Sequence, residues 1–273
     1  MLKSAGIELP KTVFNHGFLT FNGQKISKSL GNAISPRILV DKYGADTVRY
    51  FALRQFPFAS GEDGDFSESA LVDRHNNELA NKLGNLVMRV STLAEKYGLE
   101  KTKIKDLPNA ARWAIEKNWA TLELDIAESR IEKDKSIGAA NIGLHYTGKD
   151  EKGVNSKEYT LNQMSKAIFL FIKKDFEKFE LDKAIDKIFR LIDCCNWCVQ
   201  EKKPWETHDK KILYELANAI KDIAILLSPF MPSTSEKIAS TFGFKISLDD
   251  LEKPLKVSKI TKSEILFKKI ENK

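Results

Sequence analysis

The chain has 273 residues, of which 42% are hydrophobic and 30% are charged, and this composition is typical of a globular protein with an ample core. Its net charge of +6 favours a polyanionic partner such as a nucleic acid. The sequence carries no signal peptide, no lipidation motif and no apolar run of about 18 residues. We therefore expect a cytoplasmic protein with no membrane partner.

Residues 16–24 have the pattern of a strand, an Asn-Gly turn and a second short strand. Ser35 and Pro36 are typical of the N-cap and the first position of a helix. The run KISKS, at residues 25–29, lies between this hairpin and the helix start, where anions are favoured.

The KISKS run is a candidate polyphosphate-binding loop built from Lys25, Ser27, Lys28 and Ser29. The two lysines supply point charges for phosphate oxygens, while serine hydroxyls and backbone N–H groups complete the cradle. The alternative is a lysine-rich turn exposed to solvent, without a ligand.

The pattern of the chain changes near residues 61–65, where a turn-rich acidic run is followed by Ser67 as a helix N-cap. From Ser67 onward the apolar spacing is helical almost to the end. We predict a mainly α fold in which a small α/β segment, residues 1–66, precedes an antiparallel α-helical bundle, residues 67–273. Within the bundle, residues from about 100 to 165 are interpreted as an insertion because their apolar content is thin.

The first long helix is predicted over residues 68–97, from a seam of apolar side chains at helical period. At 100° per residue, Glu78, Lys82, Asn85 and Arg89 fall together on one side of that seam. Asn85 and Arg89, at i and i+4, can therefore approach one ligand from a rigid support. The alternative is that this side is a solvated flank with no ligand. The seam consists of Leu79, Leu83, Leu86, Val90, Leu93 and Tyr97.

Helical spacing returns near Gln163. A wide apolar stripe from Leu181 to Val199 predicts a helix of about 20 residues. It is expected to end before the run KKPW at residues 202–205, because the residue preceding a proline is pushed out of the α region. Another stripe, from Leu213 to Leu227, predicts a further helix, and a shorter helix is predicted after it, to about Thr241. Around Leu266, loose alternation predicts a short helix or strand packed on the bundle.

Pro204 and Trp205 form the second candidate site. A tryptophan held just past a helix end, with a rigid proline before it and two lysines upstream, is a plausible platform for an unpaired base. Stacking on such a ring contributes about 1–3 kcal/mol per base. The alternative is that Trp205 only covers the end of the bundle.

Three cysteines, Cys194, Cys195 and Cys198, lie within five residues. The C-x-x-C spacing of the last two is compatible with zinc or redox chemistry, but no second ligand pair exists and the four histidines are scattered. We favour packed, reduced thiols on a helix, which suits a reducing cytoplasm. We therefore predict no metal site in this chain.

The segments HGFL, NGQKISKSLGN, YGADTVRYF, DGDFSESALV, NLVMR and KPW occur in this order. Together they resemble methionyl-tRNA synthetases, a family of class I aminoacyl-tRNA synthetases. Ile26 occupies a position where that family usually has methionine, which is a conservative change.

The resemblance implies that the loop steadies pyrophosphate while ATP, with its Mg²⁺, activates methionine. Lys28, assisted by Lys25, would neutralise charge that grows on the phosphates, with Ser27 and Ser29 completing the ATP contact. Electrostatic help of this kind commonly contributes several kcal/mol.

The resemblance also implies a reader for the anticodon of methionine tRNA. Asn85 and Arg89 would hydrogen-bond anticodon bases, while Pro204-Trp205 would stack against the first of them. Asn196 is interpreted as a support for the helix pair rather than an RNA contact.

Two features depart from the family pattern. The second nucleotide-binding signature, the first half of the nucleotide fold and the usual zinc knuckle are absent from this sequence, and the region around 100–165 is longer than usual. We therefore expect the C-terminal half of a split methionine–tRNA ligase, active with a separate N-terminal half that brings the methionine and adenine pockets.

Two alternatives remain open. One is a non-catalytic module that binds the tRNA anticodon. The other is the C-terminal part of another class I synthetase, for leucine, isoleucine, valine or cysteine, although Arg89 with Pro204-Trp205 argues against it.

Overall fold

The computed structural model describes residues 2–27, 35–58, 62–102, 161–251, 253–256 and 260–271. These residues form a mainly helical protein with a small three-stranded sheet near the start of the chain, as the sequence predicts. Within these ranges, no helix combines the length and the apolar content needed to cross a membrane. The helices are α1 (Pro36–Tyr43), α2 (Ala45–Gln55), α3 (Glu68–Arg74), α4 (Asn85–Tyr97), α5 (Leu161–Glu177), α6 (Leu181–Lys202), α7 (Pro204–Thr207), α8 (Lys210–Leu227) and α9 (Pro232–Phe242).

The predicted hairpin is confirmed. Strand β1 (Leu19–Phe21) pairs antiparallel with β2 (Gln24–Lys25). The two turn residues, Asn22 and Gly23, both have positive φ angles, 49° and 74°, as a two-residue hairpin turn requires. The acidic stretch supplies a third strand, β3 (Gly64–Phe66), which pairs parallel with the other edge of β1.

Helix starts follow the sequence signals. Pro36 is the first residue of α1, and Ser35 precedes it in an extended conformation, although the Ser35 side chain makes no capping bond. The Ser67 hydroxyl accepts a hydrogen bond from the Ala70 amide at the start of α3. The helix predicted from residue 68 to 97 is continuous in the structure, because a π-helical stretch joins α3 to α4.

This π-helical stretch, His75–Gly84, has wider turns than the predicted α-helix and redirects two side chains. Glu78 accepts a hydrogen bond from the buried Tyr50 hydroxyl. Lys82 forms an ion pair with Asp193 of α6, with 2.8 Å between Nζ and Oδ2. Glu78 and Lys82 therefore contact neighbouring helices, and they do not share one ligand-facing side with Asn85 and Arg89 as the α-helical spacing predicts.

The main core lies between the π-helical stretch, α4, α5, α6, α8 and α9. The apolar stripe predicted for α6 is buried along its length, and most residues of α8 are buried on every side. Helix α6 ends at Lys202, so it includes the first residue of the run before which its end was predicted. A second, smaller core holds the sheet and consists of Leu39, Phe51, Phe66 and Leu71.

Helix α2 joins the two cores. Tyr50 is buried in the main core, while its neighbour Phe51 is buried in the small one. Arg49 donates to the backbone oxygen of Phe230 at 2.9 Å. Across the same contact, the Asp46 carboxylate accepts from the backbone N–H of Thr234 at 2.6 Å, in the first turn of α9. The α/β segment is thus fixed to the bundle through α2.

The tail, residues 260–271, contains neither a helix nor a strand, so the regular element predicted there is wrong. The tail does pack on the bundle, as expected. Its backbone bonds to side chains of the long helix: the Ser263 N–H donates to the Ser91 hydroxyl at 3.0 Å, and the Ile270 N–H donates to the Asn76 side-chain oxygen at 2.9 Å. These side-chain partners take the place of a strand neighbour.

Most of the insertion interpreted at residues 100–165 lies outside the described residues. Helix α5 begins at Leu161, so the last few residues of that range are helical. The division of the chain at residues 66 and 67 stays a prediction.

Candidate functional site

The strongest candidate for a nucleic-acid contact lies where α4 meets the short helix α7. Trp205 is the second residue of α7 and is half-buried at the edge of the main core. The Arg89 guanidinium, from α4, lies over the indole with its central carbon 5.3 Å from the ring centroid. The fold therefore brings together two predicted RNA-contact residues that are far apart in sequence, in a cation–π contact.

The position of Trp205 follows from a sharp turn between α6 and α7. Lys203 adopts a left-handed conformation with φ of 42°, and Pro204 is buried as the first residue of α7. The indole N–H donates to the Glu206 carboxylate at 3.2 Å. Glu206 also lies 3.6 Å from the Lys203 ammonium. Since both charges of this pair are exposed, the pair contributes little to the free energy of folding. The Lys203 ammonium can therefore exchange Glu206 for a phosphate.

Asn85 is the first residue of α4 and is exposed. Its side-chain N–H group donates to the backbone oxygen of Asn81 at 2.9 Å. One helical turn separates it from Arg89, as predicted. Asn85, Arg89 and Trp205 thus form one surface, which we call the Arg89–Trp205 surface.

The helices beneath this surface are held by polar contacts. The Asn196 side-chain N–H group on α6 donates to the backbone oxygens of Lys82 and Ile192, both at 3.2 Å. This is the supporting role that the sequence predicts for Asn196. Together with the Lys82–Asp193 ion pair, it fixes the helix pair before any ligand binds, which favours precise recognition.

Arg89 stays a strong donor in this setting. Burial lowers the pKa of its guanidinium, and no carboxylate of the described ranges offsets that effect. A guanidinium nevertheless remains charged in proteins. A half-buried cation with planar N–H groups is suited to the acceptor edges of a base or to a phosphate.

The second candidate site is the KISKS loop, of which the structure describes the beginning. Lys25 is the last residue of β2 and is exposed, with its ammonium 5.6 Å from the centroid of the Phe18 ring. Ser27 follows and is partly buried. Lys28 and Ser29 lie outside the described residues.

The hairpin that carries this loop is held by two aspartates. The Asp65 carboxylate accepts from the Thr20 hydroxyl at 2.6 Å and from the Gly23 N–H at 2.7 Å. Both bonds favour the ionised form and lower the pKa of Asp65. Asp63 accepts from the Phe18 N–H at 2.7 Å. The sequence analysis missed this role, because a short polar run was interpreted only as a boundary; the alternating aspartates at 63 and 65 were the available signal.

The three cysteines are buried and free. Burial raises the pKa of Cys194 and of Cys198 to about 12, and it raises the pKa of Cys195 as well. Such thiols carry almost no reactive thiolate near neutral pH. Among the described residues, no cluster of three or more His, Cys, Asp or Glu side chains is arranged to hold a metal ion.

Family models match most of the chain. Residues 1–91 match a model described as tRNA synthetases class I (M). Residues 158–272 match the anticodon-binding domain of tRNA ligases. The two matches contain the KISKS loop and the Arg89–Trp205 surface.

Curated relatives match along nearly the whole chain. The chain is 33% identical to a methionine–tRNA ligase of Caldanaerobacter subterraneus subsp. tengcongensis, over 99% of this chain and 37% of that protein. It is 35% identical to one of Thermotoga maritima, over 100% of this chain and 38% of the relative. The chain therefore spans less than half the length of these relatives.

Solved structures share the fold. The apo form of Mycobacterium tuberculosis methionyl-tRNA synthetase matches with a TM-score of 0.70 and 22% identity, covering 100% of this chain and 46% of that one. The same synthetase in complex with methionyl-adenylate matches with a TM-score of 0.71 and 25% identity, over 97% of this chain and 46% of that one. Taken together, the family models and the curated relatives show that the chain is similar to methionine–tRNA ligases over the part that contains the anticodon-binding domain, and the solved structures show that it shares their fold.

Proposed function

We propose that the Arg89–Trp205 surface reads the anticodon of methionine tRNA. The observation that carries this proposal is the contact between the Arg89 guanidinium and the half-buried indole of Trp205. In this proposal Asn85 and Arg89 bond to base edges, Trp205 stacks on the first anticodon base, and buried Pro204 fixes the indole. Because the surface is prepared before binding, little ordering is needed when the RNA arrives.

Binding of methionine tRNA to single and double variants tests the proposal. Trp205→Ala removes the stacking ring and should weaken binding about 5- to 150-fold, the equivalent of 1–3 kcal/mol. Arg89→Ala should weaken it as well. The double variant should lose less binding free energy than the two single variants lose together, because the two residues share one ligand and touch each other.

Lys245→Ala serves as the control, since Lys245 is exposed and does not belong to the proposed surface. Equal binding by Trp205→Ala and the unaltered chain, at matched salt concentration, would count against anticodon reading. Equal weakening for every tRNA tested would leave only general RNA binding.

For the KISKS loop we propose phosphate neutralisation by Lys28, with Lys25 assisting, during formation of methionyl-adenylate from methionine and ATP with Mg²⁺. Ser27 and Ser29 would complete the contact with ATP. The position of Lys25 supports this role. Lys25 is exposed at the end of β2, and Asp65 accepts a hydrogen bond from Gly23 in the turn of that hairpin. In this proposal the chain brings neither a methionine pocket nor an adenine pocket.

We propose further that a separate N-terminal half, with the missing part of the nucleotide fold, docks on the α/β segment. The support is an unusual set of exposed apolar side chains around the sheet, including Val13 at 75% and Phe18 at 71% exposure. Exposed apolar groups in such number are typical of a surface that another chain or domain covers. Others in this set are Ile7, Leu9, Leu19 and Ile38.

ATP–pyrophosphate exchange tests the phosphate loop and the two-part enzyme together. Exchange that depends on methionine should appear only when this chain is mixed with a chain carrying the first half of the nucleotide fold. Lys28→Ala should abolish it, Lys25→Ala should reduce it, and Lys245→Ala should leave it unchanged. Exchange that survives Lys28→Ala would refute the role of the loop; tRNA binding without exchange by any mixture would favour a non-catalytic anticodon-binding module.

A further inference from the structure

A second pair of stacked rings lies beyond the Arg89–Trp205 surface. Tyr97 is the last residue of α4, and His208 follows α7 directly. The two rings are stacked, with centroids 4.2 Å apart and an angle of 29° between their planes. The Lys96 ammonium lies 4.9 Å from the centroid of the Tyr97 ring. We call this pair the Tyr97–His208 platform.

The platform is a surface feature and does not belong to either core. Tyr97 is partly buried, His208 is exposed, and neither ring packs in the clusters that hold the bundle together. His208 has a left-handed backbone, with φ of 53°, which few residue types adopt without strain. The His208 imidazole is therefore exposed and stacked on Tyr97, although the packing of the two cores does not depend on it.

The same two elements form both ring contacts. Arg89 and Tyr97 lie eight residues apart on α4, which places them about 12 Å apart along the helix axis. Trp205 and His208 lie three residues apart at α7. An RNA strand that runs along α4 from Asn85 and passes Trp205 therefore reaches the Tyr97–His208 platform next.

The chemistry of the platform fits an unpaired nucleobase. Each base has a flat π face, and stacking on an aromatic ring tolerates any base. The outer face of His208 offers such a ring, while Lys96 supplies a cation for the adjoining phosphate. Lys211, three residues after His208 in the sequence, is paired with Glu100 at 3.5 Å.

We propose that the Tyr97–His208 platform stacks on an unpaired base of the tRNA anticodon loop, just outside the anticodon on the side of its first base. The side follows from the order of residues along α4: Asn85 and Arg89 serve the anticodon, Trp205 its first base, and the platform lies beyond Trp205. This inference rests on the proposed anticodon reading and extends it to the flanking nucleotides.

The test uses methionine tRNA in which one base at a time is replaced by 2-aminopurine, whose fluorescence is quenched on stacking. The probes are the two bases that precede the anticodon, so that the anticodon itself stays unaltered. On binding to the unaltered chain, at least one of these probes should be quenched. His208→Asn, which removes the ring but suits the left-handed backbone, should abolish quenching at the preceding position and weaken binding about fivefold.

Tyr97→Phe keeps both rings and should retain the quenching, which separates stacking from a role of the Tyr97 hydroxyl. Circular dichroism of each variant checks that the helices are intact. Unchanged quenching at both positions in His208→Asn, while Trp205→Ala weakens binding of the same tRNAs, overturns the platform and leaves anticodon reading in place. If Trp205→Ala leaves the affinity for these tRNAs unchanged, both proposals fail.

Discussion

The bundle and the α/β segment are built very differently. The side chains of the Arg89–Trp205 surface stand on helices whose core is closed on all sides, with Asn196 and the Lys82–Asp193 pair fixing them from below. The KISKS loop begins on a two-residue strand above a core of four buried residues, beside apolar side chains that remain exposed. The contrast supports two of our proposals: that the Arg89–Trp205 surface binds RNA without a further subunit, and that the KISKS loop acts only with a covering partner.

The largest expected effect concerns the packing of the helical bundle. Ile188 is fully buried on α6, and Ile188→Ala should lower the free energy of unfolding by about 2–5 kcal/mol, because it removes apolar contact and leaves a cavity. Urea unfolding followed by circular dichroism measures this. A loss below about 1 kcal/mol would indicate a loosely packed bundle and weaken the comparison.

The second prediction concerns α2, which fastens one region to the other. The buried Tyr50 hydroxyl donates to Glu78, and desolvation is the main cause of the strongly raised pKa of Tyr50. Tyr50→Phe removes a donor from a half-buried carboxylate and should cost about 1–3 kcal/mol in the free energy of unfolding. Tyr43→Phe is the matched control, because Tyr43 makes the same kind of bond to the exposed Glu68. Equal losses in the two variants would contradict this explanation.

The third prediction separates the two regions. Asp65→Ala removes the acceptor for Thr20 and Gly23, so the Gly23 amide should exchange with solvent faster while tRNA affinity stays unchanged. In the unaltered chain the same loosening should appear at low pH. The folded pKa of Asp65 is lowered from its ordinary value of 3.8, so the ionised carboxylate stabilises the hairpin above that value and the effect is lost as pH falls through the folded pKa.

Amide exchange observed by NMR provides the measurement, with an amide of α8 as internal reference. Weaker tRNA binding by Asp65→Ala would mean that the hairpin and the bundle are not independent.

The smallest predicted effect is a pH dependence inside the bundle. His75 is buried, with one ring nitrogen near the Thr47 hydroxyl and the other 2.8 Å from the backbone oxygen of Lys268. Burial lowers the pKa of His75 below 6.5. The unfolded chain therefore takes up a proton that the folded chain does not, and stability falls as pH drops below 6.5 towards the folded pKa.

Urea unfolding between about pH 5 and 8 should show this decline for the unaltered chain and a weaker decline for His75→Gln. Identical pH profiles for the two chains would exclude His75 as the cause.

Most of the fold could be predicted because its signals are local. Apolar stripes predict α6 and α8, and the Asn22-Gly23 pair predicts the hairpin. Local spacing could not predict the π-helical stretch, which redirects Glu78 and Lys82, nor β3, whose Asp65 bonds to the hairpin only once β3 has paired with β1. For the tail, side chains such as Ser91 and Asn76 replace the regular hydrogen bonds that a sequence pattern would reveal.

The candidate sites were predictable to different degrees. The residue types of Asn85, Arg89 and Trp205 left open a solvated flank and a cover for the end of the bundle, and the prediction of base contacts depended on the family resemblance. The contact between Arg89 and the indole adds the geometry. The role of Asp65 depends on a contact between distant segments, so no pattern at position 65 alone could have indicated it.

The central claim is that the Arg89–Trp205 surface identifies its tRNA by the anticodon, and anticodon transplantation tests it most directly. The methionine anticodon is placed in another elongator tRNA. The affinities for that tRNA with its own anticodon and with the methionine anticodon are then measured, for the unaltered chain and for Trp205→Ala. The account predicts that tight binding follows the transplanted anticodon and that Trp205→Ala abolishes the preference. An unaltered chain that binds both tRNAs equally, or a preference that survives Trp205→Ala, would contradict it.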